Sequence, residues 1–265
     1  MIKQNIRRGS HTRQTDCMII CAQQARRTMR TLIFAAFLFV LSTAAGHAQD
    51  IVEVVTEQWK PFSYEENGVV KGSATKIVLA VLERAGIEYS MNVYPWARSY
   101  KTALKRKSVL IFAIVRTEER EPLFKWVGQV APTDKSTFYK LSRRTDIVVN
   151  SLDDAKKYVI GANIDSDKHQ FLVKNGFERL SLVSDQALSP KQLFAGHIDL
   201  WIMHDINMAA LLEAATIPAG KIVKVFTAYE SRPYMAFSKG TADDLVAKAV
   251  RAYDELMAES RIEKF

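Results

Sequence analysis

Apolar and polar positions alternate along most of this chain in two rhythms, a strand rhythm and a helix rhythm, and the two take turns. Ile51–Val55 reads as a strand. Lys76–Ala85 follows as a helix, with Ile77, Val78, Val81, Leu82 and Ala85 on one face and Gly86 as its stop. Tyr89, Met91 and Val93 alternate as in a strand, and Trp96–Lys105 suits a helix presenting Trp96, Tyr100 and Leu104 together. Val109–Val115 is a continuous apolar run, the pattern of a strand buried on both faces. A second round begins after Leu152: Tyr158–Ala162 a strand, Asp167–Asn175 a helix stopped by Gly176, and Leu180–Val183 a short strand. Pro190 then suits the first turn of a helix. Ile198–Met203 is a buried strand, Ile206–Ala215 a helix, and Ile222–Phe226 and Tyr234–Ser238 further strands. Ala242–Met257 closes the chain as a helix with Leu245, Ala249, Tyr253 and Leu256 inward.

Two consecutive α/β rounds predict two α/β lobes. Lys135–Leu141 is expected to be the connection between them. Trp126 and Trp201 sit in apolar runs and are expected in the core.

The stretch before Ile51 follows another pattern. Arg27 and Arg30 precede ten apolar residues, Leu32 to Leu41, and small residues then lead to Gly46-His47-Ala48. This is the layout of a secretory signal peptide. It covers about half of the ~20 residues that a membrane-crossing helix needs. Cleavage is expected after Ala48, with residues 1–48 as leader and Met29 as a plausible true start. Export to the periplasm follows.

The leader changes how the charge is understood. The whole chain has Lys+Arg 37 and Asp+Glu 29, a net +8. Seven of those cations (Lys3, Arg7, Arg8, Arg13, Arg26, Arg27, Arg30) and one acid, Asp16, precede Gln49, which leaves +2 for the rest. That near-balance argues against a nucleic-acid partner. Both cysteines, Cys17 and Cys21, also lie in the leader. The remainder therefore has no thiol for a disulfide, a metal or nucleophilic catalysis.

Four blocks carry a resemblance. They are Val55-Thr56-Glu57-Gln58-Trp59-Lys60-Pro61-Phe62-Ser63-Tyr64 with Gly68 and Lys71-Gly72; Arg116-Thr117-Glu118-Glu119-Arg120; Leu193 through Leu200; and Tyr234 through Gly240. In order and spacing these resemble the periplasmic solute-binding proteins of the polar amino acid uptake family, extracellular solute-binding family 3. The resemblance implies a two-lobed type II periplasmic binding protein fold with two hinge crossings. Lobe 1 would take 50–135 and 230–265, and lobe 2 would take 136–229.

The same resemblance implies a ligand held between the lobes, an amino acid or small carboxylate, presented to a membrane transporter permease or receptor. A small zwitterion needs a cationic fork, an acceptor for its ammonium and an apolar wall. Arg120, the arginine of Thr-x-x-Arg, is implied as the bidentate fork; its alternative is a solvated arginine paired with Glu119 or Glu121. As a fork, Arg120→Ala would remove most affinity and leave the fold intact. Thr117 offers a hydroxyl to the ligand or caps the following turn. Trp59 matches the stacking aromatic, Tyr64 and Trp96 are weaker candidates for the wall, and core packing suits Trp96 better. Asp205 is the candidate ammonium acceptor, although counting from Gly196 puts His204 at that register.

The chain also departs from the family pattern. Arg116 is an extra cation beside the fork, Ala113 and Val115 replace small hydroxyl residues, and Thr75-Lys76 replace an acid. Ile164-Asp165-Ser166 stand where Gly-Thr is usual, with Ser166 keeping a hydroxyl at a helix start. These changes bear on the ligand more than on the fold.

His197, Asp199, His204 and Asp205 do not share one face of a strand, so no metal site is expected. No cofactor or catalytic residue is expected either, and the protein should act as a monomer. The rival readings are a dehydratase-like enzyme of the same fold, with Glu57 as general acid, and a sensor for a membrane receptor.

Overall fold

The computed structural model describes residues 51–265; the expected leader, cleavage position and start site lie outside them. The chain first lays down β1 (Val52–Thr56), a hairpin of β2 (Tyr64–Glu66) and β3 (Val69–Lys71), helix α1 (Ser73–Ala85), β4 (Tyr89–Val93), α2 (Trp96–Lys105), β5 (Val109–Val115) and β6 (Phe124–Gln129). It then enters β7 (Asp134–Leu141), α3 (Leu152–Ala155), β8 (Ile160–Asn163), α4 (Asp167–Lys174), β9 (Leu180–Val183), α5 (Ser189–Ala195), β10 (Leu200–His204), α6 (Met208–Ala214) and β11 (Ile222–Ser231). It returns through β12 (Pro233–Ser238) and ends with α7 (Asp243–Ala258).

The strands make two five-stranded sheets, ordered β4-β1-β5-β12-β6 and β11-β7-β10-β8-β9. In the first, β1 pairs in parallel with β4 and β5, and the returning β12 runs antiparallel to β5 and β6. In the second, β8 is parallel to β9 and β10, while β7 is antiparallel to β10 and β11. The chain passes between the sheets twice, from β6 to β7 and from β11 to β12. The architecture is the two-lobed α/β fold with two hinge crossings.

The apolar rhythm explains most of these elements. Ile77, Val78, Val81 and Leu82 of α1 are buried, and Gly86 ends the helix in the left-handed conformation, φ 63°. They share one core with Ala249, Tyr253 and Leu256 of α7. All of β5 is buried, as a strand covered on both faces should be. Trp201 lies in the core at 1% exposure. Trp126 is only half-buried and packs edge-on to Tyr234.

One expectation was overturned. Lys135–Leu141 is not a connection but most of β7, which pairs with both β10 and β11. Its hydroxyl residues concealed it, because they bond inside the sheet: Ser136 Oγ lies 3.2 Å from His204 Nδ1, and Thr137 Oγ1 lies 3.3 Å from Thr227 Oγ1. Polar side chains satisfied in this way cost a strand little.

Candidate functional site

In open α/β sheets, ligand sites form outside the carboxyl ends of parallel strands. Here those ends meet one another across the lobes. Beyond β1 come Glu57 and Trp59; the end of β5 gives Ala113 and Val115; beyond β8 come Ser166, Asp167 and Lys168; β10 ends at His204. Together with Trp96, Gln186 and Pro233 they line one cavity. Its volume is about 20 Å³, the space of roughly one water. The lobes are closed on each other.

Local backbone geometry aims several of these groups. Ala113 interrupts β5 with φ 61°, opposite a register shift between Tyr234 and Met235 of β12. This β-bulge re-aims the strand where it meets the cavity. Asp165, also left-handed at φ 59°, presents its carbonyl to the first lobe. There it accepts from Trp96 Nε1 at 2.7 Å and from Arg120 Nη2 at 3.2 Å. Ser166 caps α4, its Oγ accepting from His169 N at 3.1 Å and donating to Asn163 O at 2.6 Å.

A polar network fills the second-lobe side. The buried Asp167 carboxylate accepts from Lys168 Nζ at 2.8 Å and from Tyr229 Oη at 2.6 Å. His204 Nε2 lies 3.5 Å from it, and His204 Nδ1 sits between Ser136 and Ser231 hydroxyls at 3.2 and 3.1 Å. Burial pushes the Asp167 carboxyl up, but Lys168, His204 and Arg120 together hold it well below the usual carboxylate range. Burial, reinforced by Asp167, pushes the Tyr229 hydroxyl well up. Glu57 behaves differently. Its carboxyl is enclosed although the residue as a whole is only half-buried, and burial raises it to about 7 against the pull of Lys168.

The model of the bacterial extracellular solute-binding proteins, family 3, matches residues 51–265. The chain belongs to this family. Among solved structures, this family 3 protein is similar to a histidine kinase sensor domain with similarity to periplasmic binding proteins. The TM-score is 0.71 at 15% identity, over 80% of this chain and 92% of the other. It is likewise similar to an ancestral arginine-binding protein bound to arginine (TM-score 0.67, 18% identity, 81% and 95% covered). A third is the arginine-, lysine-, histidine-binding protein ArtJ from Geobacillus stearothermophilus (0.67, 18%, 80% and 91%). At such identities the likeness is one of fold. A search of curated proteins found no match.

The structure places the expected site residues of this family 3 protein in three groups. Trp59 and Ser166 line the cavity. Trp59 stacks on Phe62 with ring centroids 4.4 Å apart. The Asn207 amide, turned to satisfy both neighbours, accepts from Trp59 Nε1 at 3.2 Å and donates to His204 O at 3.0 Å. Arg120 is close by but fully buried at 0% exposure, and each of its three nitrogens donates one bond to the protein. Nε donates to Gln170 Oε1 at 3.0 Å, Nη1 to Val115 O at 3.1 Å and Nη2 to Asp165 O. Its guanidinium lies over Trp96 and Tyr100. Thr117 Oγ1 accepts from Arg120 N at 3.4 Å as a turn cap.

The rest lie outside the cavity. Asp205 turns away to Tyr139 and Lys224, and His204 occupies the cavity wall in its place. Arg116 forms a two-pronged pair with Glu121 at 2.7 and 2.6 Å. Tyr64 belongs to the β2–β3 hairpin, beneath Lys60. Sequence reasoning missed Lys168 and Gln186 as wall residues, and gave Asp167 as the start of a helix. An Asp-Lys pair opening a helix just after a buried strand was the available clue.

Proposed function

We propose that this protein captures a small polar solute, amino-acid-like or carboxylate-bearing, between its lobes in the periplasm and presents the closed form to a membrane transporter. The observation that carries this reading is a cavity at the strand ends, walled by Glu57, Trp59 and Trp96 from one lobe and by Ser166, Asp167, Lys168 and His204 from the other. A ligand that touches both lobes favours the closed state by its differential affinity for it. Two of the similar structures are arginine-binding or basic-amino-acid-binding proteins, which supports an amino-acid-like ligand. The protein acts by binding, as a monomer, without cofactor or covalent chemistry.

The likeness to a kinase sensor domain supports a second reading, in which a membrane receptor rather than a permease takes up the closed form. Thermal shift of the purified protein against amino acids, small carboxylates and amines tests the binding reading. A ligand at a hundredfold excess over its Kd adds about 2.7 kcal/mol of stability. A saturable shift from one chemical class, with the compound recovered unchanged, is the expected result; conversion of the compound would favour the enzyme of the same fold.

A further inference from the structure

Glu57 and Lys168 face the same cavity from opposite lobes, and neither has its polar capacity met by protein. The Glu57 carboxyl makes no hydrogen bond to another described residue. Lys168 Nζ has three protons to donate, and its one acceptor among the described residues is Asp167 Oδ1 at 2.8 Å. Lys168 is nonetheless buried, with 6% of the residue exposed. Enclosed polar groups without partners are costly, so a solute entering here is selected for meeting both. Arg120 differs from both, because its Nε, Nη1 and Nη2 already serve Gln170, Val115 and Asp165. Two of those partners lie on the second lobe, which makes Arg120 a tie between the lobes.

We propose that the cleft, if it binds solute as inferred above, takes a short dipolar molecule with its ammonium or guanidinium group on Glu57 and its anionic group on Lys168, Arg120 holding the lobes together rather than gripping the ligand. The cavity supplies an acceptor pole on the first lobe and a donor pole on the second, with Trp59 and Trp96 in the same wall. From its closed size of about 20 Å³ it widens by a parting of the lobes to admit the solute. The other charged groups about Glu57 are Asp167 beside Lys168 at the start of α4, and Arg120 after β5; His204 at the end of β10 shares the cavity. Because burial raises Glu57 to about 7, a cation arriving beside it at pH 6.5 displaces a proton to solvent.

Titration calorimetry of the exported protein at pH 6.5, in two buffers of different ionisation enthalpy, tests this. The probes are β-alanine, γ-aminobutyrate and taurine, with ethylamine and propionate as one-poled controls. A dipolar probe should bind about tenfold or more tightly than either control and release a proton. Glu57→Gln and Lys168→Met should each weaken it about tenfold or more, the scale of a charge-assisted bond. Proton release should vanish in Glu57→Gln. Lys168→Arg, which keeps the pair with Asp167, should recover binding; Lys168→Gln, which keeps a donor toward Asp167 without the charge, replaces Lys168→Met if that variant does not fold and should weaken the probe likewise. Arg120→Lys should weaken the dipolar probe and ethylamine by the same factor, because it loosens lobe closure and removes no contact to the anionic group.

A dipolar probe bound equally by the parent, Glu57→Gln and Lys168→Met overturns the two poles and leaves solute binding standing. So does a folded Arg120→Lys that loses the dipolar probe and leaves ethylamine binding unchanged. If neither these probes nor the wider amino-acid and carboxylate library bind the parent protein, solute binding itself falls, and this proposal with it.

Discussion

The first-lobe face of the cavity is Glu57, Trp59, Trp96, Ala113, Val115 and Pro233, and the second-lobe face is Ser166, Asp167, Lys168, Gln186 and His204. One is two indoles, three apolar groups and a single carboxyl with no hydrogen-bond partner among the described residues. The other is a connected set, in which Asp167 is held by Lys168, Tyr229 and His204, and His204 in turn by Ser136 and Ser231. On the connected face the Asp167 carboxyl stays ionised further into acid than an ordinary carboxyl, because Lys168, His204 and Arg120 beside it outweigh its burial. The lone carboxyl opposite does not, since nothing bonded to it opposes its desolvation. A desolvated carboxyl on one lobe thus faces a hydrogen-bonded charge network on the other.

The largest effect should come from cutting the connected face. Asp167→Ala leaves Lys168 buried without an anion, a loss of about 3–5 kcal/mol, read as a lower denaturation midpoint in urea. Next is Arg120→Met, which strips donors from the buried Val115 carbonyl and from Asp165 and Gln170 across the cleft. Stability should fall by about 3 kcal/mol, and small-angle scattering should show a larger radius of gyration as the lobes part. An arginine tied at three points does not leave the fold untouched, so the intact fold expected from sequence for Arg120→Ala gives way to this outcome.

The lone carboxyl makes the opposite prediction. Glu57 has a folded-state value of about 7 against 4.5 unfolded, so the native protein holds its proton more tightly. Its contribution to stability is complete below about pH 4.5 and is lost as pH rises through about 7. Glu57→Gln should therefore match the parent at pH 5 and exceed it at pH 8 by on the order of 2 kcal/mol. Asp167, held low, works in the other window: its contribution is full above the ordinary value of 3.8 and fades in stronger acid. Melting curves from pH 3 to 9 on both variants separate the two faces. Equal pH slopes for the parent and Glu57→Gln would show that this carboxyl is not desolvated.

The fold was legible because burial writes periodicity into the chain, and the two α/β rounds and the four motif blocks lie where apolar faces must be covered. The strand Asp134–Leu141 was hidden since Ser136 and Thr137 are satisfied by hydroxyl and imidazole partners far away in sequence. The site was legible by position and not by role. Trp59, Ser166 and the 120 position could be named from motifs. Whether Arg120 is free depends on Gln170, 50 positions later, and on the left-handed turn at Asp165. Asp205 and His204 are neighbours whose side chains leave a strand end in different directions, and one residue of register decides which faces the cavity.

The smallest effect sits on the first-lobe wall. Ala113 holds φ 61° inside β5, a conformation that costs a residue with a Cβ about 1–2 kcal/mol. Glycine removes that strain but gives the unfolded chain about 0.4–1 kcal/mol of extra freedom. Ala113→Gly should accordingly stabilise the protein by about 0.5 kcal/mol, where a regular strand position would lose about 0.5–1 kcal/mol from the same change. Ala113→Val should destabilise, because a β-branched side chain at positive φ is a steric outlier. The contrast between the two substitutions is the measurement, made by urea midpoints under identical conditions. If glycine destabilises and valine is tolerated, β5 runs as a regular strand in solution and the bulge does not shape the cavity. If the signs come out as stated, the first-lobe face carries its strain within strand β5 where it meets the cavity, while the second-lobe face carries its own at the left-handed Asp165 just ahead of its hydrogen-bonded network.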